Sequence, residues 1–192
     1  MLNFYLKSYV LLFIFVWENK SEFYKLSVLN MKKLFVAVLL FFSVIAVKAQ
    51  VVGLEVGDIA PEIDLPDTKG EKVALSSLRG GLVLVDFWAS WCGPCIKEQP
   101  ELLKLYNTYS GKLDIYGVSL DTKKPVWTGV ITKLKLPWTQ VSDLKYWSSA
   151  AATDYMVQAL PFNVLVDKNG IILAKNIHGN KLNEMVKELL TQ

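Results

Sequence analysis

Residues Leu82 to Glu98, LVLVDFWASWCGPCIKE, leave little choice about what can surround them. The stretch opens with Leu82 to Trp88, dominated by aliphatic, β-branched and aromatic side chains, the composition of a central strand buried on both faces. It then breaks at Ala89-Ser90-Trp91 and delivers Cys92 and Cys95 separated by Gly93-Pro94. Beyond Cys95 the apolar residues Leu102, Leu103, Leu105 and Tyr106 recur at helical spacing. A proline is tolerated in a first helical turn, where its missing N–H would have no intrahelical partner. The spacing therefore predicts a strand-to-helix turn with Cys92 at its mouth. There the unpaired N–H groups and the positive end of the helix dipole favour a thiolate.

Two other uses of two cysteines fit less well. A disulfide across C-x-x-C closes so short a loop that its entropic gain is only about 2 kcal/mol, a poor staple. A zinc site needs about four ligands, and the chain offers two cysteines and the single histidine His178. Thiol redox chemistry remains, with no metal and no cofactor expected.

The run V-D-F-W-A-x-W-C-G-P-C resembles the active-site motif of the thioredoxin superfamily, and residues 57–190 are similar to its exported TlpA/ResA-like branch. The resemblance implies an α/β thioredoxin-like fold. It should have a central mixed β-sheet flanked by helices, an N-terminal β-hairpin over 62–75, and an αβ insertion ahead of a cis-proline. Pro100 stands at the offset from the second cysteine where thioredoxins also carry a proline. The insertion starts at Asp121 and holds Trp127, Trp138, Tyr146 and Trp147, read as core residues ahead of the alternative of a ligand platform. A pair of strands over 162–175 and an amphipathic helix over 180–190 close the domain.

The same resemblance assigns roles. Cys92 is the attacking thiol and Cys95 the resolving thiol, with Gly93 and Pro94 tuning the pair. Pro161 is the cis-proline, and Trp91, Leu160 and Gly179 line the surface on which an extended substrate docks. Asp86, a carboxylate inside an apolar strand, should have a raised pKa and could accept the Cys95 proton. Thioredoxins usually add a lysine on the next strand, but the corresponding position here is Gly117. Glu98 is a second candidate for proton transfer, set against its reading as a solvated surface carboxylate. His178, the single histidine, precedes Gly179 at a strand–helix junction and reads as an exposed or rim residue.

Charge and leader place the chain. There are 21 basic and 18 acidic side chains, but residues 1–49 hold six lysines and only two acidic residues. The remainder carries a net charge of −1, so no basic face argues for nucleic acid. Met31-Lys32-Lys33, the 14-residue apolar core 34–47, and Val47 and Ala49 before Gln50 have the outline of a secretory signal peptide. Fourteen residues fall short of the ~20 needed to span a bilayer, which sets cleavage after Ala49 against an uncleaved anchor. Residues 1–30 read as an upstream extension, 31–49 as the signal peptide and 50–192 as the thioredoxin-like domain.

The expected protein is thus a periplasmic, monomeric thiol–disulfide oxidoreductase, a reductase of oxidised protein cysteines such as those of apocytochromes c. Its electrons would come from a membrane thiol reductase of the DsbD/CcdA type. Two alternatives stand beside it. A peroxiredoxin-like peroxidase would need Thr or Ser and Pro where Ala89 and Val85 stand, and an arginine after the cysteine. The only arginine, Arg79, precedes it. A Sco-like copper-binding protein would use His178, but with C-x-x-x-C spacing.

Overall fold

Strand β3 (Leu82–Trp88) is buried along its whole length, every residue at most 9% exposed. The computed structural model describes residues 51–191; the leader segments 1–30 and 31–49 lie outside them. Around β3 the chain forms β1 (Asp64–Pro66), β2 (Lys72–Ala74), α1 (Gly93–Thr108), β4 (Leu113–Ser119) and α2 (Lys124–Leu134). These are followed by β5 (Thr139–Val141), α3 (Ala150–Asp154), β6 (Phe162–Val166), β7 (Ile172–Lys175) and α4 (Gly179–Thr191). Single 3-10 turns occupy Leu75–Leu78 and Tyr146–Ser148.

Five strands pair in the order β5-β4-β3-β6-β7. β3 runs parallel to β4, and β4 to β5, while β6 and β7 run antiparallel to their neighbours. The parallel β3–β4 pair needs a crossover, and α1 supplies it. β1 and β2 form a separate antiparallel hairpin, as the sequence led us to expect.

Alternation along β3 decides what each face meets. Leu84, Asp86 and Trp88 point toward α1, whose Gln99 reaches Asp86. Val83, Val85 and Phe87 point the other way. On that face Phe87 packs on Tyr155, just after α3, with ring centroids 5.1 Å apart. Tyr116, the register partner of Val85, donates its hydroxyl hydrogen to the Val73 carbonyl at 2.6 Å and so ties the hairpin to the sheet. Trp127 and Trp138 of the insertion are buried, as expected, and Trp138 packs on Tyr106 of α1. Tyr146 and Trp147 are not core residues. They are 43% and 36% exposed, on the 3-10 turn Tyr146–Ser148 in the segment after β5.

Register places Gln140 of β5, Gly117 of β4, Asp86 of β3 and Asn163 of β6 side by side on the face under α1. Gly117 leaves room for the Gln140 amide, which accepts a hydrogen bond from Trp88 Nε1 at 3.0 Å. A Cβ at position 117 would sit 2.5 Å from Gln140 Oε1. Gly117→Ala should therefore cost about 1–3 kcal/mol, as overfilled cores do, read as a lower urea midpoint at unchanged slope. In a Gln140→Ala background the added methyl should cost less, because the colliding amide is gone. Equal costs in both backgrounds would remove Gln140 as the limiting contact.

Candidate active site

The turn between β3 and α1 is fixed at both ends. Ser90 donates from its backbone N–H to Asp121 Oδ2 at 2.9 Å and from its hydroxyl to Asp121 Oδ1. Asp121, 2% exposed, also accepts from the Ser119 hydroxyl at 2.7 Å. A buried carboxylate is tolerable when donors surround it, and this one clamps the chain two residues before Cys92. Sequence reading missed it, treating Asp121 only as the start of the insertion. The signal available was a lone acid directly after a buried strand.

Cys92 caps α1, and its Sγ accepts the Cys95 backbone N–H at 3.2 Å. The two cysteines are joined as a disulfide, with Cα atoms 5.3 Å apart. Cys92 is 6% exposed and Cys95 1%, so solvent reaches the first sulfur more readily. Gly93 and Pro94 lie exposed between them. The helix N-terminus is thus directed at Cys92, where it would hold negative charge once the bond is reduced.

The Leu160–Pro161 peptide is cis. Phe162 pairs with Phe87, which sets Pro161 level with Trp88, at the end of β3 from which the cysteine turn departs. Both Leu160 and Pro161 are half-buried. Trp91 is 47% exposed. Gly179 opens α4 and is half-buried.

Below the disulfide lies the polar row. Asp86 is 2% exposed and accepts a hydrogen bond from Gln99 Nε2 at 3.2 Å. Burial raises its pKa from 3.8 to about 7; the Gln99 bond and His178 pull it down, and Glu98 pushes it up. Gly117 stands beside Asp86 in the register, so the lysine of thioredoxins is replaced by a glycine overlaid by the neutral Gln140. Gln99 Oε1 and Gln140 Nε2 have no protein partner among the described residues, which leaves one acceptor and one donor in the row.

His178 lies at the rim, its side chain 31% exposed, and it is held by partners. Its Nδ1 lies 2.8 Å from Glu98 Oε1, and its Nε2 lies 2.9 Å from Asn176 Oδ1. Nδ1 also lies 3.4 Å from Asn163 Nδ2, and the Glu98 hydrogen bond raises the pKa of the ring despite partial burial. Glu98 is correspondingly not a solvated carboxylate; its side chain is 13% exposed. Asn163, the register partner of Asp86, holds the loop in place by accepting from Ile177 N–H at 3.0 Å and donating to the Ile177 carbonyl at 2.6 Å. The Glu98–His178 pairing joins residues 80 apart in sequence, beyond the reach of local pattern.

The family model for AhpC/TSA matches residues 56–175. The chain belongs to the AhpC/TSA family. Within this family setting it is 32% identical over 136 residues to the thiol-disulfide oxidoreductase ResA of Geobacillus thermodenitrificans, covering 70% of this chain and 76% of the relative. It is 30% identical over 131 residues to the thioredoxin-like protein YneN of Bacillus subtilis, covering 66% and 73%. Among solved structures it is similar to a thiol-disulfide oxidoreductase from Bacteroides fragilis, with a TM-score of 0.65 and 38% identity over 69% of this chain and 99% of that one. The fold is thioredoxin-like, as the motif implied, and the protein is a thiol–disulfide oxidoreductase.

Asp86 makes stability depend on pH in a stated direction. Well below pH 3.8 the carboxyl is protonated in folded and unfolded chains alike, and burying it carries no ionisation cost. Between 3.8 and about 7 the unfolded chain ionises while the folded one does not, so stability falls as pH rises, and above about 7 the loss is complete. At about 1.4 kcal/mol per pKa unit the full cost is on the order of 4 kcal/mol. Asp86→Asn should therefore stabilise the oxidised protein by a few kcal/mol at pH 8 and by almost nothing at pH 4. Urea unfolding of both proteins across that range checks it, and a pH-independent difference would refute the raised pKa.

Proposed function

We propose that this oxidoreductase works as an exported reductase of protein disulfides. In the proposed cycle the Cys92 thiolate attacks one sulfur of a client disulfide, forming a mixed disulfide and releasing one client thiolate. Cys95 then loses its proton and attacks the Cys92 sulfur, releasing the second client thiolate and closing the disulfide between Cys92 and Cys95. Two electrons pass to the client, and two protons are taken up by its thiolates. Asp86, close to half-ionised near neutrality, is the proposed acceptor for the Cys95 proton. Glu98, held by His178, acts on the charge of Asp86 instead of receiving the proton itself. Pro161, Leu160 and Trp91 are the proposed docking surface.

The observation that carries the direction is the short list of groups stabilising a Cys92 thiolate. The Cys95 N–H and the helix N-terminus are there, but Gly93 and Pro94 bring no side-chain donor and no lysine or arginine stands from Ala89 to Ile96. A thiolate with little stabilisation favours the disulfide form, hence a low potential. Equilibration with a glutathione or dithiothreitol buffer, read by Trp88 and Trp91 fluorescence, should give a potential below about −220 mV. A value near the −120 mV of the oxidant DsbA would reverse the direction.

The peroxidase reading gains nothing from the geometry. Ala89 and Val85 are fully buried where hydroxyl and proline are needed, and Arg79 sits at the far end of β3, roughly 20 Å of strand away from the cysteines. The copper reading is no better, since both His178 nitrogens already have protein partners.

Export rests on the leader. No helix among the described residues is long and apolar enough to cross a membrane. Oxidised clients such as apocytochromes c, and a DsbD/CcdA-type donor, are the partners this compartment would supply. Material recovered from the periplasm should have the mass of residues 50–192, with or without pyroglutamate at Gln50. A mass that still includes residues 34–47 would instead indicate an anchor.

A further inference from the structure

Three exposed aromatic rings lie together beside the reactive cysteine. Trp91 has its ring centroid 5.2 Å from that of Tyr146 and 6.3 Å from that of Trp147, and the latter two are 5.9 Å apart. The interplanar angles run from 52° to 73°, within the tilted and edge-on geometries that such pairs favour. Single exposed hydrophobics are ordinary, but a contiguous set calls for a reason.

The cluster is held outward at a conformational cost. Leu144 and Tyr146 both have left-handed backbones, φ 59° and 58°, a region that side chains other than glycine enter at a cost of the order that functional loops carry. The loop is tied down on both sides. Leu144 N–H donates to Ser142 Oγ at 3.1 Å and Lys145 N–H to Asp143 Oδ1 at 3.2 Å. On the other side Ser149, Ala151 and Ala152 are buried. The two rings are thus displayed by a fixed turn.

We propose that Trp91, Tyr146 and Trp147 form a docking shelf for the polypeptide segment next to a client's disulfide cysteine, selecting segments with an aromatic or long aliphatic residue there over small polar ones. The proposal rests on the reading of the client as a protein disulfide. Its occupant follows from continuity: Trp91 is bonded to Cys92 and 47% exposed, so the rings extend from the residue at which a client disulfide is attacked and are placed to meet the residues flanking its sulfur. A second copy of this chain seated on the shelf would cover Cys92 and block the exchange. The turn also lacks the basic face that takes a helix to a lipid surface, offering one lysine, Lys145, beside Asp143.

The test uses two synthetic peptides, each closed by one disulfide and carrying a quenched fluorophore released on reduction. They differ only in the residue preceding the first cysteine, Phe or Ser. The reduced full-length protein should show a kcat/KM for the Phe peptide roughly 5- to 10-fold above that for the Ser peptide, the size of one well-packed aromatic contact. Tyr146→Ala and Trp147→Ala should each bring the ratio to about 2-fold or less while leaving reduction of oxidised glutathione unchanged, and Tyr146→Phe should keep it. Equal rates on the two peptides in the wild type would overturn the shelf whether or not the alanine variants fold. So would an unaltered preference in folded alanine variants. A concentration-dependent dimer, or binding to anionic vesicles, that Trp147→Ala abolishes would give the shelf another occupant and likewise overturn it. Failure of the wild type to reduce either peptide or glutathione would count against the proposed reductase instead.

Discussion

β3 is hydrogen-bonded along both edges and buried along its length, and the site inherits its geometry from that confinement. A one-residue slip would rotate Leu84, Asp86 and Trp88 away from α1 and bring Val83, Val85 and Phe87 beneath it. Each of those side chains loses several kcal/mol if its packing is lost, on the scale of core truncations of about 2–5 kcal/mol. The register is therefore locked, and the strand's end arrives in one place. There Ser90 meets the Asp121 carboxylate, Cys92 meets the first turn of α1, and Pro161 draws level from the antiparallel neighbour.

The same face carries the one expensive element of the core. A row of Gln140, Gly117, Asp86 and Asn163 crosses the sheet beneath α1, and only Asp86 in it can ionise. With no cation in the row, its charge is set by burial, by the Gln99 hydrogen bond and by the Glu98–His178 pair at the flank. That pair lies between α1 and the loop before α4, so helix packing and carboxyl titration are linked. Stability is surrendered for a carboxyl that titrates near neutrality, the kind of exchange common where a side chain serves chemistry.

Much of this was legible in the sequence, for physical reasons. β3 and α1 announced themselves because burial on both faces and a 3.6-residue period leave local traces, and β3 occupies the expected Leu82–Trp88. Gly117 could be placed beside Asp86 because the residues from Lys112 onward lay without gaps on the thioredoxin pattern, and β4 pairs with β3 in that register. His178 and Glu98 could not be paired from sequence, since 80 residues separate them and nothing local to either encodes the other. Tyr146 and Trp147 were misread as core because aromatic composition usually signals burial. Their exposure follows from two left-handed residues, and neither Leu144 nor Tyr146 belongs to the types that signal such a backbone.

The insertion and the cysteine turn hang from one anchor, and this ties recognition to chemistry. Ser119, at the end of β4, donates its hydroxyl hydrogen to Asp121, whose carboxylate holds Ser90 ahead of Trp91 and Cys92. The backbone carbonyl of that same Ser119 accepts the Ser142 hydroxyl at 2.8 Å, and Ser142 in turn holds Leu144 at the start of the aromatic turn. Any displacement of the β4 end would therefore move Trp91 and Tyr146 together, preserving the ring cluster while carrying it relative to Pro161 on the opposite neighbour of β3. The distance between the two sides of the docking surface is then governed by the spacing of β4 and β6 across β3. That spacing is set by two adjacent hydrogen-bonded ladders.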